Sequence, residues 1–232
     1  VKRAASRRLS ALWPNVSGLD VLGVGYPIPY LGGVRRTARR AVAMMPAAQG
    51  AEPWPADGPV LTTLSDDMRL PFMDALFDRV LIVHALEEAS APHAMLREIW
   101  RVMAPEGRLV VIAANRWSLW AQSGATPFGH GRPYSRTQLA ALLGDSMFEP
   151  VVSARALYAP PLSWGPIVRA ADAFERVGEM VWPMQGGLVL MEAVKRLYAS
   201  TARSSERVLL AKAPKRSPEE APGGLPKRER WR

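Results

Sequence analysis

The chain has no cysteine, only three histidines, and no long uninterrupted apolar run. Without cysteine there can be no disulfide, thiolate metal site or cysteine nucleophile. Histidines at 84, 93 and 130 alone leave little material for an imidazole-built metal centre. No segment approaches the roughly 20 consecutive apolar residues that a bilayer-spanning helix needs, and no signal-peptide core is visible. A cytoplasmic protein with no integral membrane segment is therefore expected. What is present is a chain of 232 residues, 48% apolar, enough for one α/β domain with a real core. It begins on Val1 rather than Met, consistent with a preceding piece lost from its start.

The formal net charge of +9 is unevenly spread. Lys2, Arg3, Arg7 and Arg8 make the start basic, and residues 200–232 hold nine basic against four acidic side chains. The body between them is neutral, apart from a local cluster at Arg35, Arg36, Arg39 and Arg40. Basic ends on a neutral body suit RNA, an acidic protein or a membrane surface, and equally suit solvated tails. The Arg35–Arg40 cluster reads either as a second basic spot or as one exposed face of a helix.

The hydrophobic pattern alternates strands with helices. A helix is expected over 2–13, then a buried strand from Leu19 into the Gly23–Gly25 turn, and a helix over 31–41. Proline and glycine forbid regular structure over 46–59. Strands are expected at 60–64, 77–83, 109–113, 151–157 and 188–193. Helices are expected at 92–103, 136–143 and 166–181, the last with Ile167, Ala171, Phe174, Val177 and Val181 as its apolar side. Ser135 and Gln138 have capping-box spacing. This order argues for a mostly parallel sheet, doubly wound, with ligand-binding loops beyond the carboxyl ends of its strands. The domain plan is an N-terminal helix over 1–17, the main domain over 18–199 with a helical insertion near 160–183, and a basic tail over 200–232. Residues 214–232 carry too few large apolar groups to offset the entropy of ordering them.

Two stretches carry a resemblance. One is Leu19-Asp-Val-Leu-Gly-Val-Gly-Tyr26. The other runs from Asp66-Asp-Met-Arg-Leu-Pro-Phe72 through Phe77-Asp-Arg-Val80 and His84-Ala-Leu-Glu87 to Leu96-Arg-Glu-Ile-Trp-Arg-Val-Met-Ala-Pro-Glu-Gly-Arg-Leu-Val-Val-Ile112. Over roughly residues 18–115 the chain resembles the class I S-adenosylmethionine-dependent methyltransferases, in the group of small-molecule and ubiquinone-biosynthesis type. The further wording "LGVGYPIPYL", "MMPAAQG" and "TPFGHGRPYS" resembles a bacterial methyltransferase-like branch. The resemblance implies a Rossmann-like α/β fold, S-adenosylmethionine as cofactor, and an unidentified small-molecule or macromolecular methyl acceptor. It implies cofactor contacts at Gly23, Gly25, Tyr26, Asp66, Asp67, Met68 and His84. Asp66 would accept the adenine amino group, Met68 would pack on the adenine face, and the two glycines would let backbone approach the cofactor. On that basis Gly25→Val should damage binding more than folding.

Three positions depart from the pattern. Pro27 stands where a third glycine is usual, Val21 where an acid is usual, and Ala43-Met-Met-Pro46 occupies the region of the acid that would hold ribose hydroxyls, with Glu52 and Asp57 too far along the chain. The departures favour a rival: a protein of this fold that has lost catalysis and serves as a scaffold or binding subunit, associated with protein or RNA. Outside the cofactor half, Gly129-His-Gly-Arg-Pro-Tyr134 precedes the capped helix and should lie over the carboxyl edge of the sheet. His130 is the candidate base and Tyr134, with Arg132, the candidate partner of a substrate anion. The other reading of the loop is a structural turn. Asn115-Arg-Trp117 reads as a substrate-side wall or as the start of a helix.

Overall fold

The computed structural model describes residues 1–47, 50–122, 126, 128, 131–160, 171–182 and 184–197. Its elements are α1 (Lys2–Leu12), β1 (Asp20–Gly25), α2 (Ile28–Arg35), β2 (Arg40–Pro46), β3 (Thr62–Ser65), β4 (Phe77–Val83), α3 (Pro92–Val102), β5 (Met103–Ala114), α4 (Leu119–Gln122), α5 (Arg136–Asp145), β6 (Phe148–Ala156), α6 (Ala171–Val181) and β7 (Leu188–Lys195). The strands form one seven-stranded sheet in the order β3-β2-β1-β4-β5-β7-β6. The first five run parallel, and β7 enters antiparallel to both β5 and β6.

Alternation along the central strands sorts side chains between two faces. Leu22, Val24, Val80, Ile82, Leu109 and Val111 share one core with Met95, Leu96 and Ile99 of α3 and Leu139 and Leu143 of α5. Val21, Leu81, Val83, Val110 and Ile112 share the other with Ala5 and Leu9 of α1, Trp13, and Tyr30 and Leu31 of α2. The sheet is thus buried on both faces, the condition under which strands read as continuous apolar runs.

Several boundaries differ from the sequence reading, each for a local reason. Helix α2 starts earlier, at Ile28, because Pro27 at its N-cap and Pro29 in its first turn sit where missing N–H groups cost nothing. It also ends earlier, and Arg40 opens β2, a strand absent from the sequence reading. The Arg35–Arg40 cluster is accordingly split and paired: Arg35 with Asp57 at 3.0 Å, Arg39 with Asp20 at 2.6 Å. Strand β5 begins at Met103, since the residues around Gly107 form an irregularity inside the strand, where Phe77 pairs Met103 and Arg79 pairs Arg108. The capping box forms as read: Ser135 accepts the Gln138 N–H, and the Gln138 side chain accepts the Ser135 N–H at 3.0 Å. Gly144 lies within α5, which runs on to Asp145. Of the apolar side expected for the 166–181 helix, Val177 and Val181 are exposed and Phe174 is half-buried, while Ile167 and the side chain of Ala171 lie outside what is described. No helix among the described residues is long and apolar enough to cross a membrane.

The strongest sequence motifs have a structural explanation. Arg101 of α3 donates to the carbonyls of Leu70 and Phe72 and to Glu98 and Asp74, while Glu98 accepts the Leu70 N–H. One guanidinium therefore straps the Leu-Pro-Phe segment to the helix that follows β4.

Candidate functional site

Strands β1 and β4 are neighbours, and connections leave them in opposite directions across the sheet, so the crevice beyond their carboxyl ends is the switch point. Gly25 ends β1 there with φ +87°. A side chain on it would collide with the Val83 carbonyl and meet the Ala85 Cβ at 2.8 Å. A Cβ on Gly23 would meet Pro27 at 2.5 Å and Leu31 at 2.9 Å. Both glycines are thus required first by the protein's own packing. This changes the expectation for Gly25→Val, whose collision is with backbone. Pro27, in place of a third glycine, packs directly over Gly23.

Next to Gly25 opens a cleft of about 400 Å³. The ends of β2 (Pro46, Ala47), the turn after β3 (Asp66, Asp67) and the segment after β4 (Ala85, Glu88, Ala89, Ser90) line it. Asp66 is exposed and accepts the Met68 N–H at 2.9 Å, which shapes the turn. Partial burial, and then the charge of Asp66, push the Asp67 carboxyl above its ordinary range. Met68 is exposed beside them, and Tyr26, half exposed, begins the loop after β1. Pro46 and Ala47 close the β2 side with no carboxylate of their own, and the Glu52 N–H meets the Met45 sulfur of the same strand at 3.5 Å. Asp57 is engaged with Arg35, and Asp20 lies at the opposite end of β1, where the Arg39 guanidinium holds its carboxyl below the usual range. Asp78 accepts the Asp20 N–H at 2.9 Å, which fixes the start of β1 to β4.

His84 leaves β4 with φ +53°. Its Nδ1 lies 2.9 Å from Oε1 of Glu87, a buried carboxylate that also accepts the Ala114 N–H at 2.7 Å. The segment before α5 crosses the same edge. The Arg132 N–H donates to the Glu87 carbonyl, and Tyr134 forms a one-residue bridge with Asn115 at the end of β5. The Tyr134 hydroxyl donates to the Leu86 carbonyl at 3.2 Å, and burial, then the charge of Glu87, push it up. Gly131–Tyr134 therefore lies over the carboxyl edge as expected, with the tyrosine hydroxyl committed to the chain itself. His130 lies outside the described residues.

Asn115 is buried and donates to the carbonyls of Met184 and Gly186, which holds the segment before β7 against β5. Ser118, which accepts the Ala121 N–H, starts the short helix α4, the second of the two readings for this stretch. The sequence reading did not single out Pro46, Ala47, Ala85 or Ser90. A β-strand ending at Pro46 was the missing signal, since it would have placed them at the same edge.

Residues 22–111 match the family model described as a methyltransferase domain. A demethylmenaquinone methyltransferase of Thermus thermophilus is 34% identical over 95 residues, which are 41% of this chain and 36% of that protein. The chain spans about a third of the length of the curated relatives it matches. Among solved structures, an S-adenosylmethionine-dependent methyltransferase from Thermotoga maritima superposes with TM-score 0.61 at 17% identity, over 84% of this chain and 90% of that one. Geranyl diphosphate C-methyltransferase of Streptomyces coelicolor, solved with Mg2+, geranyl diphosphate and S-adenosyl-L-homocysteine, superposes with TM-score 0.56 at 16% identity, over 82% and 76%.

Proposed function

We propose that the chain is a class I S-adenosylmethionine-dependent methyltransferase, a reading supported by the methyltransferase-domain match over residues 22–111 and by the shared fold, and that it transfers a methyl group from S-adenosylmethionine to an acceptor at the carboxyl edge of its sheet. The observation that carries this reading is the cleft beside Gly25, set at the switch point and bounded by two adjacent carboxylates. Asp66 would accept the adenine amino group there, with Asp67 beside it and Met68 against the base. Gly23, Gly25, Tyr26 and His84 would border the ribose and methionine portions. The bound sulfonium supplies an electrophilic methyl group with a good leaving group. The protein's task is then to align the acceptor and exclude water, and positioning provides most of the rate.

Gly131–Tyr134 frames the acceptor side; His130, the candidate base named from the sequence, lies outside the described residues. The reading places the reaction in the cytoplasm. It leaves the acceptor as a small molecule or a group on a macromolecule.

One observation favours the second reading, a scaffold or binding subunit working with protein or RNA through the basic ends. Pro46 and Ala47 offer no carboxylate to ribose, and a lost charged hydrogen bond is worth about 1.5–3 kcal/mol, or roughly tenfold or more in affinity. Calorimetry and thermal shift with S-adenosylmethionine and S-adenosylhomocysteine separate the two. Saturable heat, weakened by Asp66→Ala, is the expected result. No heat and no shift at millimolar cofactor leaves the scaffold.

A further inference from the structure

We infer that His84 is the general base of the transfer and that Glu87 is the buried carboxylate positioning it, so that the acceptor is a phenol- or enol-type hydroxyl compound. The inference rests on the methyl-transfer reading above.

Three features converge on His84. First, its partner is a buried acid with capacity to spare. Oε1 of Glu87 takes the His84 Nδ1 and the Ala114 N–H, while Oε2 is buried with no hydrogen-bond partner among the described residues. A carboxylate facing Nδ1 accepts the proton there, which leaves the lone pair on Nε2, the tautomer a base needs. Second, the residue is held in the left-handed region, at φ +53°, a conformation costly for any side chain with a Cβ and kept only where the surroundings enforce it. The His84 N–H, bonded to the Ile112 carbonyl at 3.0 Å, is part of that enforcement. Third, the imidazole is about a quarter exposed and lies beside an aromatic wall. Phe128 stacks at a tilt 5.2 Å away, and Trp120 meets Phe128 edge-on at 5.6 Å. Flat rings next to a base suit a flat, ring-bearing acceptor.

The step balances without any further reagent. The acceptor O–H gives its proton to Nε2. The oxygen, or a ring carbon conjugated to it, bonds to the methyl carbon. The carbon–sulfur bond breaks with its electron pair moving to sulfur, and the imidazolium returns its proton to water. An imidazole can assist hydroxyls that are already moderately acidic, which selects phenols and enols over simple alcohols.

The test uses the full chain and the variants His84→Gln and Glu87→Gln. Glutamine at 87 keeps an oxygen for both donors and removes only the charge. Calorimetry with S-adenosylhomocysteine comes first. A wild-type chain that binds no cofactor overturns the functional reading and this inference with it; binding kept by all three proteins isolates the pair, and binding lost in either variant alone makes the residue a cofactor contact and overturns its assignment here. Transfer from radiolabelled S-adenosylmethionine is then measured to catechol and to 4-nitrocatechol, the latter largely ionised at neutral pH. Both substitutions should lower transfer to catechol by about 10²-fold, and transfer to 4-nitrocatechol far less, because an ionised acceptor needs no base. A merely structural pair would lose both rates equally. Equal losses, no loss, or no transfer to either probe by a cofactor-binding wild type overturns the assignment. A readout without turnover is the nitrogen-15 spectrum of the imidazole in the cofactor-free chain. The proton is expected on Nδ1 of His84, and finding it on Nε2 would equally end the proposal.

Discussion

The two edges of the sheet treat charge in opposite ways. At the amino edge, several acids meet arginines: Asp20 with Arg39, Glu98 and Asp74 with Arg101, and Glu106 and Glu149 with Arg196. Just inside it, buried Glu192 pairs with Arg108 at 3.2 Å. At the carboxyl edge, two like charges sit side by side at Asp66 and Asp67, and a buried carboxylate faces a histidine. The same residue type registers the difference. Asp20 is held below the ordinary aspartate range by an arginine, while Asp67 is pushed above it by burial and a like charge. One edge uses ion pairs to tie connections down, and the other sets like charges side by side around a cleft.

The largest expected effect blurs this division. Gly25→Val lies on the open edge, yet its Cβ would run into the Val83 carbonyl. It should cost about 4 kcal/mol or more, a core-scale defect, and chemical denaturation of the variant checks it. A stable Gly25→Val chain that merely fails to bind cofactor would return the glycine to a ligand role.

Asp20→Ala should come next, because it takes a buried carboxylate away from the Asp78-anchored start of β1 and from an arginine that is itself exposed, with a fall of about 2–4 °C in Tm. Cofactor binding should be untouched. The pH dependence has a definite sign. Because the folded carboxyl is depressed, its contribution is present above the unfolded value near 3.9 and disappears as pH falls through the lower folded value. Wild type should therefore lose stability below about pH 4, and Asp20→Asn should lose less over the same window.

Asp66→Ala inverts that pattern. Cofactor affinity should drop about tenfold, equivalent to roughly 1.4 kcal/mol, with Tm nearly constant. A large loss of Tm instead would make the Asp66–Met68 turn a folding element.

The smallest effect concerns His130, next in sequence to Gly131. With His84 as base, His130→Ala should raise the acceptor KM about threefold and leave kcat close to wild type. A fall of about 10²-fold in kcat would transfer the base to His130.

How much of this was legible in the sequence follows from what each feature depends on. Strand β4 and helix α3 were readable because burial on both faces gives an uninterrupted Val80-Leu-Ile-Val83, and burial on one face gives Met95, Leu96 and Ile99 at helical spacing. Strand β2 was not, because it opens on arginine and closes on proline, and its pairing with β1 supplies what its composition lacks. The motif from Leu96 to Ile112 pointed strongly to the fold, in which Arg101 and Glu98 hold a connection in place. The position of the site was readable for the same topological reason. Its chemistry was less so: the use of Gly23 and Gly25, and the pairing of His84 with Glu87 and Ala114, depend on which loops meet.

The insertion of β7 between β5 and β6 bears on how the protein is made. Strand β6 pairs with β7 and not with β5. During synthesis, β1 to β5 and the helices between them can assemble as they leave the ribosome. Strand β6 emerges next with its partner still unmade, and has to wait for residues 188–195 before it can join. In that interval the β5 edge and β6 are both unpaired, the moment when this chain is most exposed to pairing with a neighbour instead of with itself.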